Sequence, residues 1–262
     1  GGNWPLVFRS PQEPLPEAEA TSIYIHVPFC RSLCTHCPYL KVPFEPGLAN
    51  QYQVALRIEI AGWMAATPHR PLRNVYFGGG SPGMLPGLVA TCLETLSSRL
   101  ESTTAIGLEL HPLDVRGSLL ADLREMGVNR ISLGIESFSS EILHALGRGY
   151  SPSQAREALD RVCAAGFECV DVNLIYGLGT RTPEEFLEEA RTCVEAGAHQ
   201  VSAYPLISFH HTRPTWVPDL FTHWNRDRSH RQLRDLCHEL GLRQTSVWSF
   251  AKPGIEPYST VT

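Results

Sequence analysis

The chain has 262 residues, of which 43% are hydrophobic and 19% charged, enough apolar material for one large core or two small ones. A formal net charge of −5 argues against a protein whose main task is to hold nucleic acid by its phosphates. No apolar run is long enough to cross a bilayer, so a membrane-spanning role is not expected.

Residues 1–20, "GGNWPLVFRSPQEPLPEAEA", are proline-rich and acidic. They lack the basic start and apolar centre of a secretory signal and read as a loose lead-in. The chain then alternates. Short β-branched or apolar runs predict strands at "SIYIHV", "NVYFGG", "AIGLEL", "NRISLGI", "CVDVNLIYG" and "HQVSAYPLI". Helical periodicity fills the intervals, over "ANQYQVALRIEIAGWM", "LVATCLETLSSRL", "GSLLADLREMG", "SPSQAREALDRVCAAG" and "TPEEFLEEARTCVEAG". In the last of these Phe186, Ala190 and Val194 recur four apart while glutamates occupy the other faces. Ser151 before Pro152, and Thr182 before Pro183, are expected N-caps. Gly127, Gly166 and Gly197 are expected C-terminal caps. Beyond residue 209, "HHTRPTWVPDLF" reads as a loop, "DRSHRQLRDLCHELG" as a helix and "LRQTSVWSFAKPG" as a strand and turn.

Six strand–helix alternations predict an α/β fold of parallel strands joined by right-handed crossovers. An open doubly wound sheet and a partly closed barrel both satisfy that pattern. In either, reactive groups gather at the C-terminal ends of the strands. A cysteine-rich loop follows the first predicted strand and "GGGSP" follows the second; Glu109 ends the third, Glu136 follows the fourth, and Asn173 lies late in the fifth. All five are expected to face one mouth.

Eight cysteines are present, and only Cys30, Cys34 and Cys37 cluster, as C-x-x-x-C-x-x-C. Cys92, Cys163, Cys169, Cys193 and Cys237 sit singly in apolar stretches, as small buried hydrophobes do. This usage fits a reducing cytoplasm better than a disulfide framework. Three clustered thiols admit several readings. Structural zinc wants four ligands, and His36, wedged between two of the cysteines, is a poor fourth. A disulfide pair with a spare thiol is the plainest alternative. A [4Fe–4S] cluster with three protein thiolates leaves one iron free to bind something else.

C-x-x-x-C-x-x-C on the loop after the first strand of an α/β domain resembles the radical S-adenosylmethionine (SAM) superfamily. "YIHVPFC", "VYFGGGSP", "GVNRISLGIESF", "LGRG" and "VDVNLIYGLGTRTPEEF", from Tyr24 to about Ile207, and "SFAKPG" nearer the end, resemble its oxygen-independent coproporphyrinogen oxidase-like (HemN-like) branch. The resemblance implies a partial (βα)6 TIM-like barrel of parallel strands with outer helices. It divides the chain into a lead-in (1–20), a core (21–210) and a C-terminal extension (211–262), the last read as the start of a truncated accessory region. It implies that Cys30, Cys34 and Cys37 ligate a [4Fe–4S] cluster whose open iron is chelated by SAM. An electron from the reduced cluster then breaks the S–C5′ bond, giving methionine and a 5′-deoxyadenosyl radical.

The same resemblance assigns roles to single residues. His36 takes the place of an aromatic beside the adenine. Gly79 and Gly80 allow close approach of the methionyl end. Glu109 accepts from the amino group of SAM, and Arg148 offers a planar fork to a carboxylate. Glu136 and Asn173 lie near the ribose hydroxyls, with Ile175 among the SAM contacts. Tyr24, Gly80 and Ser81 match positions that touch a second SAM. Some departures stand out. Tyr39 replaces a further cysteine of the porphyrinogen decarboxylase, and "CTHCPYLKVPF" and "IEPYSTVT" replace the C-P-Y-C-D-F and H-N-x-x-Y-W stretches of the heme-chaperone relatives. Asn173 stands where Asp is usual, and Gly179 where Pro is usual. The expected function is therefore methyl transfer or C–C bond formation on an unsaturated carbon, using a second SAM. The alternatives are an anaerobic tetrapyrrole enzyme and a heme-trafficking protein. The expected partners are a small-molecule substrate and an electron donor such as flavodoxin or ferredoxin, in the cytoplasm, without nucleic acid or membrane. His210, His211, His223 and Trp224 receive no role.

Overall fold

A computed structural model describes residues 21–67, 69–177, 181–207 and 223–255. All six predicted strands form, as β1 (Thr21–Val27), β2 (Leu72–Gly79), β3 (Ala105–Leu110), β4 (Arg130–Glu136), β5 (Cys169–Tyr176) and β6 (Gln200–Pro205). They lie side by side in chain order, every neighbouring pair parallel. Two short strands, β7 (Arg243–Gln244) and β8 (Ser249–Ala251), extend the sheet past β6 in antiparallel sense, so the eight-stranded order ends β6-β8-β7. A partial barrel of parallel strands with outer helices is the result.

Side chains alternate faces along a strand. Ile25, Val27, Val75, Phe77, Leu108, Ile131, Leu133, Val170, Val172, Leu174 and Val201 point outward and are buried in the main hydrophobic core. The helices supply the other half of that core. They are α1 (Pro46–Ala66), α2 (Pro86–Leu96), α3 (Leu119–Glu125), α4 (Ser140–Ala145), α5 (Pro152–Ala164), α6 (Pro183–Glu195) and α7 (His223–Glu239). The expected caps of α5 and α6 form complete capping boxes. Ser151 Oγ accepts from Gln154 N (3.3 Å) while Gln154 Oε1 accepts from Ser151 N (2.9 Å). Thr182 Oγ1 accepts from Glu185 N (3.2 Å) while Glu185 Oε2 accepts from Thr182 N (2.8 Å). Gly127, Gly166 and Gly197 end their helices with φ of 90°, 77° and 104°, a region that glycine enters without a Cβ penalty.

One helix goes beyond the sequence reading. α4 has six residues, too few for a periodic pattern to register, and its start is set by Ser139, whose side chain caps Ile142 N. After β8, Ile255 packs on Tyr76 and Cys169 inside the barrel. Cys169 begins β5, so this contact lies toward the N-terminal end of the strands. The expected loop at 210–221 lies outside the described residues.

Candidate cluster and cofactor site

Cys30, Cys34 and Cys37 hang on the loop that leaves β1. The loop is pinched at its base, where Phe29–Cys30 pairs with Val42–Pro43 and Phe44 N donates to Cys30 O (2.9 Å). Farther out it is tied to the end of α4. Thr35 Oγ1 donates to Ala145 O (3.3 Å), Thr35 N donates to Leu146 O (3.3 Å), and His36 Nδ1 lies 3.2 Å from Leu146 O. A carbonyl only accepts, so Nδ1 carries the proton. Burial, aided by the positive Arg148, lowers the His36 pKa to about 4 and keeps the ring neutral. Arg31 anchors the near side through Asp114 (2.9 Å), which also accepts from the buried Ser81 hydroxyl (2.5 Å).

The Gly-Gly-Gly-Ser-Pro turn lies under this loop. Gly80 N donates to Val27 O (2.7 Å) and Ser81 N to Phe29 O (2.8 Å). A Cβ at Gly80 would stand 2.5 Å from Phe29 O, and one at Gly79, where φ is 110°, would stand 2.4 Å from the His26 ring. Both glycines thus have a reason inside the chain, in addition to the ligand approach expected of them.

The mouth of the barrel holds the charged groups. Glu109 accepts from Tyr76 Oη (2.5 Å) and Gly79 N (3.0 Å), yet burial still raises its pKa. Glu136 follows a register shift in β4 and takes φ of 62°, rare for a residue with a side chain. Its carboxylate stands 3.5 Å from the Arg148 guanidinium, and burial raises its pKa as well. Arg148 also donates to Gly134 O (2.5 Å), Tyr150 Oη (3.1 Å) and Cys34 Sγ (3.4 Å). Burial opposes its charge, but Tyr150, Glu136 and Cys34 outweigh that and it stays protonated. The two carboxyls sense each other, and only Glu136 pairs with the guanidinium, an excess of acceptors that suits a cationic guest.

The remaining expected residues surround this centre. Tyr24 is 43% exposed, stacks on Tyr76 at 5.8 Å and lies 2.8 Å from His26 Nδ1. His26 Nε2 in turn reaches Leu40 O (2.8 Å). Ile175 is buried with Ile142, Leu146 and Leu206, beside the α4 anchor. Asn173 Nδ2 donates to Ser132 Oγ (2.7 Å). His210, His211 and Gly179 lie outside the described residues, as do the side chains of His223 and Trp224. Sequence reasoning missed Asp171, Ser132 and Ser202, although polar residues recurring every second position in apolar strands do signal a polar barrel interior. It also missed Tyr150, which lies between α4 and α5 and carries no such signal.

The donor set fits an iron–sulfur cluster. All eight cysteines are free thiols. Burial, then the neighbouring Cys37 and Cys34, push the Cys30 thiol up to about 11, so the three sulfurs sense one another. Among the described residues no three His, Cys, Asp or Glu converge on a point that one ion would fill. Three neighbouring thiols on one loop suit a polynuclear cluster, in which each sulfur meets a different iron.

The Radical SAM superfamily model matches residues 24–200. The chain belongs to the radical SAM superfamily. Within it the chain falls in the HemN-like branch. It is 29% identical over 243 residues to the heme chaperone HemW of Escherichia coli, covering 90% of this chain and 64% of that protein. It is 31% identical to HemW of Mycobacterium tuberculosis (79% of this chain, 56% of the other) and 30% identical to oxygen-independent coproporphyrinogen III oxidase of Pseudomonas aeruginosa (75% and 44%). The chain thus spans less than two thirds of these relatives. The fold matches that of E. coli coproporphyrinogen III oxidase, HemN, with a TM-score of 0.82 at 24% identity, covering 94% of this chain and 57% of the other. Membership of the superfamily implies a [4Fe–4S] cluster and SAM. Among the described residues no helix is long and apolar enough to cross a membrane.

Proposed function

We propose that this radical SAM protein handles heme, with Cys30, Cys34 and Cys37 holding the cluster and the Glu109–Glu136–Arg148 mouth holding SAM. The observation that carries the reading is the extent of similarity. Heme chaperones align over 218 to 256 residues, whereas the coproporphyrinogen oxidases align over 202 to 205. The trafficking alternative raised by the sequence is therefore preferred to methyl transfer, which gains no support from the relatives. Bound cluster and SAM supply one-electron chemistry and a carbon-centred radical. The chain itself supplies an acceptor-rich cradle for the ammonium and sulfonium charges, and a protonated guanidinium that donates to Cys34 Sγ (3.4 Å). We place the protein in the cytoplasm, where eight free thiols stay reduced, with a flavodoxin or ferredoxin as electron donor.

Anaerobically reconstituted protein titrated with hemin tests this. The expected result is a saturable, stoichiometric shift of the heme absorption band without turnover of heme, and loss of the cluster spectrum in Cys34→Ala. Absence of heme binding, combined with SAM-dependent methylation of an added acceptor or decarboxylation of coproporphyrinogen, would overturn it.

A further inference from the structure

A polar network inside the barrel is left unused by that reading. Asp171 lies on β5 two residues before Asn173, on the same inward face, and is 2% exposed. Its Oδ2 accepts from Ser132 Oγ (3.0 Å) and its Oδ1 from Ser202 Oγ (2.8 Å). Ser202 Oγ in turn accepts from Gln200 Nε2 (3.1 Å) and lies 3.0 Å from Ser249 Oγ. Ser132 Oγ receives Asn173 Nδ2 (2.7 Å).

The direction of this network follows from elementary chemistry. A carboxylate only accepts, and a hydroxyl has one proton. Ser132 gives its proton to Asp171, so only lone pairs remain for Asn173. The amide must then turn its NH2 toward Ser132, which leaves its oxygen on the opposite side. An aspartate at position 173 would present an acceptor whichever way it turned. An asparagine must be turned, and the buried carboxyl one layer below supplies the turn.

We propose that Asp171 is a positioning residue: through Ser132 it holds the Asn173 amide with its oxygen toward the mouth, as acceptor for a hydroxyl of the bound nucleoside. The inference rests on the reading that the mouth binds SAM. The titratable groups facing Asp171 are Glu109 on β3, Tyr204 on β6 and Cys193 on α6. Burial outweighs the donors from Ser202, Ser132 and Gln200 and raises the Asp171 pKa to about 7. Once protonated, Asp171 becomes a donor and its hold on Ser132 is lifted.

The test is equilibrium binding of SAM to the reconstituted holoprotein at alkaline pH, in the wild type, Asp171→Asn, Asn173→Asp and the double variant. Asp171→Asn is expected to weaken binding on the order of tenfold, the scale of one buried hydrogen bond, with cluster content unchanged. In the Asn173→Asp background, where no orientation is needed, the same change is expected to cause no further loss. Ser132→Ala reports on the same relay and is expected to match Asp171→Asn. Should Asp171→Asn fail to fold, Ser132→Ala alone and in the Asn173→Asp background carries the comparison. Acidification through neutrality is expected to weaken binding more in the wild type than in Asn173→Asp. An equal loss in both backgrounds, or no loss from either variant, overturns the proposal. A wild-type holoprotein that binds no SAM overturns the underlying reading instead, and the proposal with it.

Discussion

The two faces of the sheet are made from the same strands and obey opposite rules. On β4, Ile131, Leu133 and Ile135 face the helices and are fully buried in apolar contact, while Ser132, Gly134 and Glu136 face the barrel interior. On β5, Val170, Val172 and Leu174 face outward, and Asp171, Asn173 and Ile175 inward. Stability is concentrated outside, where burial of apolar area drives folding. The interior instead holds polar groups whose burial costs free energy unless each has a partner. It is tolerated because the outer face is complete.

Neighbouring residues on one strand can break this contrast. Leu133→Ala removes an outer side chain with no exposure and is expected to cost about 2–5 kcal/mol in denaturant unfolding of the apo chain. Its effect on the SAM affinity of surviving holoprotein is expected to be small. A comparable loss of affinity would show that the two faces are not separable.

A pH series probes the inner face. The Asp171 carboxyl titrates near 7 when folded, against an ordinary value of 3.8. A raised carboxyl pKa means that its contribution to stability is complete below the ordinary value and is lost as pH rises through the folded one. The Asp171 contribution to the unfolding free energy of the apo chain is therefore expected to fall between about pH 4 and about pH 7, by an amount on the order of a few kcal/mol, read as the difference between wild type and Asp171→Asn. Asp171→Asn is expected to remove that share of the slope, leaving the shares of Glu109, Glu136 and His36 in place. A slope that is unchanged in the variant would place its origin elsewhere.

The smallest expected effect belongs to neither face. Thr182→Ala deletes half of the capping box of α6 and is expected to cost about 1 kcal/mol, read as a shift in denaturation midpoint, with SAM binding intact.

Much of this arrangement was legible in the residues, for reasons that are local. The six strands, the caps at Ser151 and Thr182, and the spacing of Cys30, Cys34 and Cys37 are each written within a few positions of one another. α4 escaped because one and a half turns leave no periodic trace. The serine–aspartate network escaped because its partners lie 39 and 31 residues apart, and only the strand register brings them together. Gly80 was read through a ligand, whereas the carbonyls of Val27 and Phe29 already leave no space for a side chain there.

The tether between the cysteine loop and α4 bears on how such motifs can be moved between proteins. Thr35 and His36 reach backbone carbonyls at Ala145 and Leu146, 110 residues downstream, in a helix too short to stand without its surroundings. A transplanted segment from Phe29 to Pro43 would bring its thiols and leave these anchors behind. The portable unit is therefore the loop together with the turn of helix that braces it, a pairing that no contiguous stretch of sequence contains.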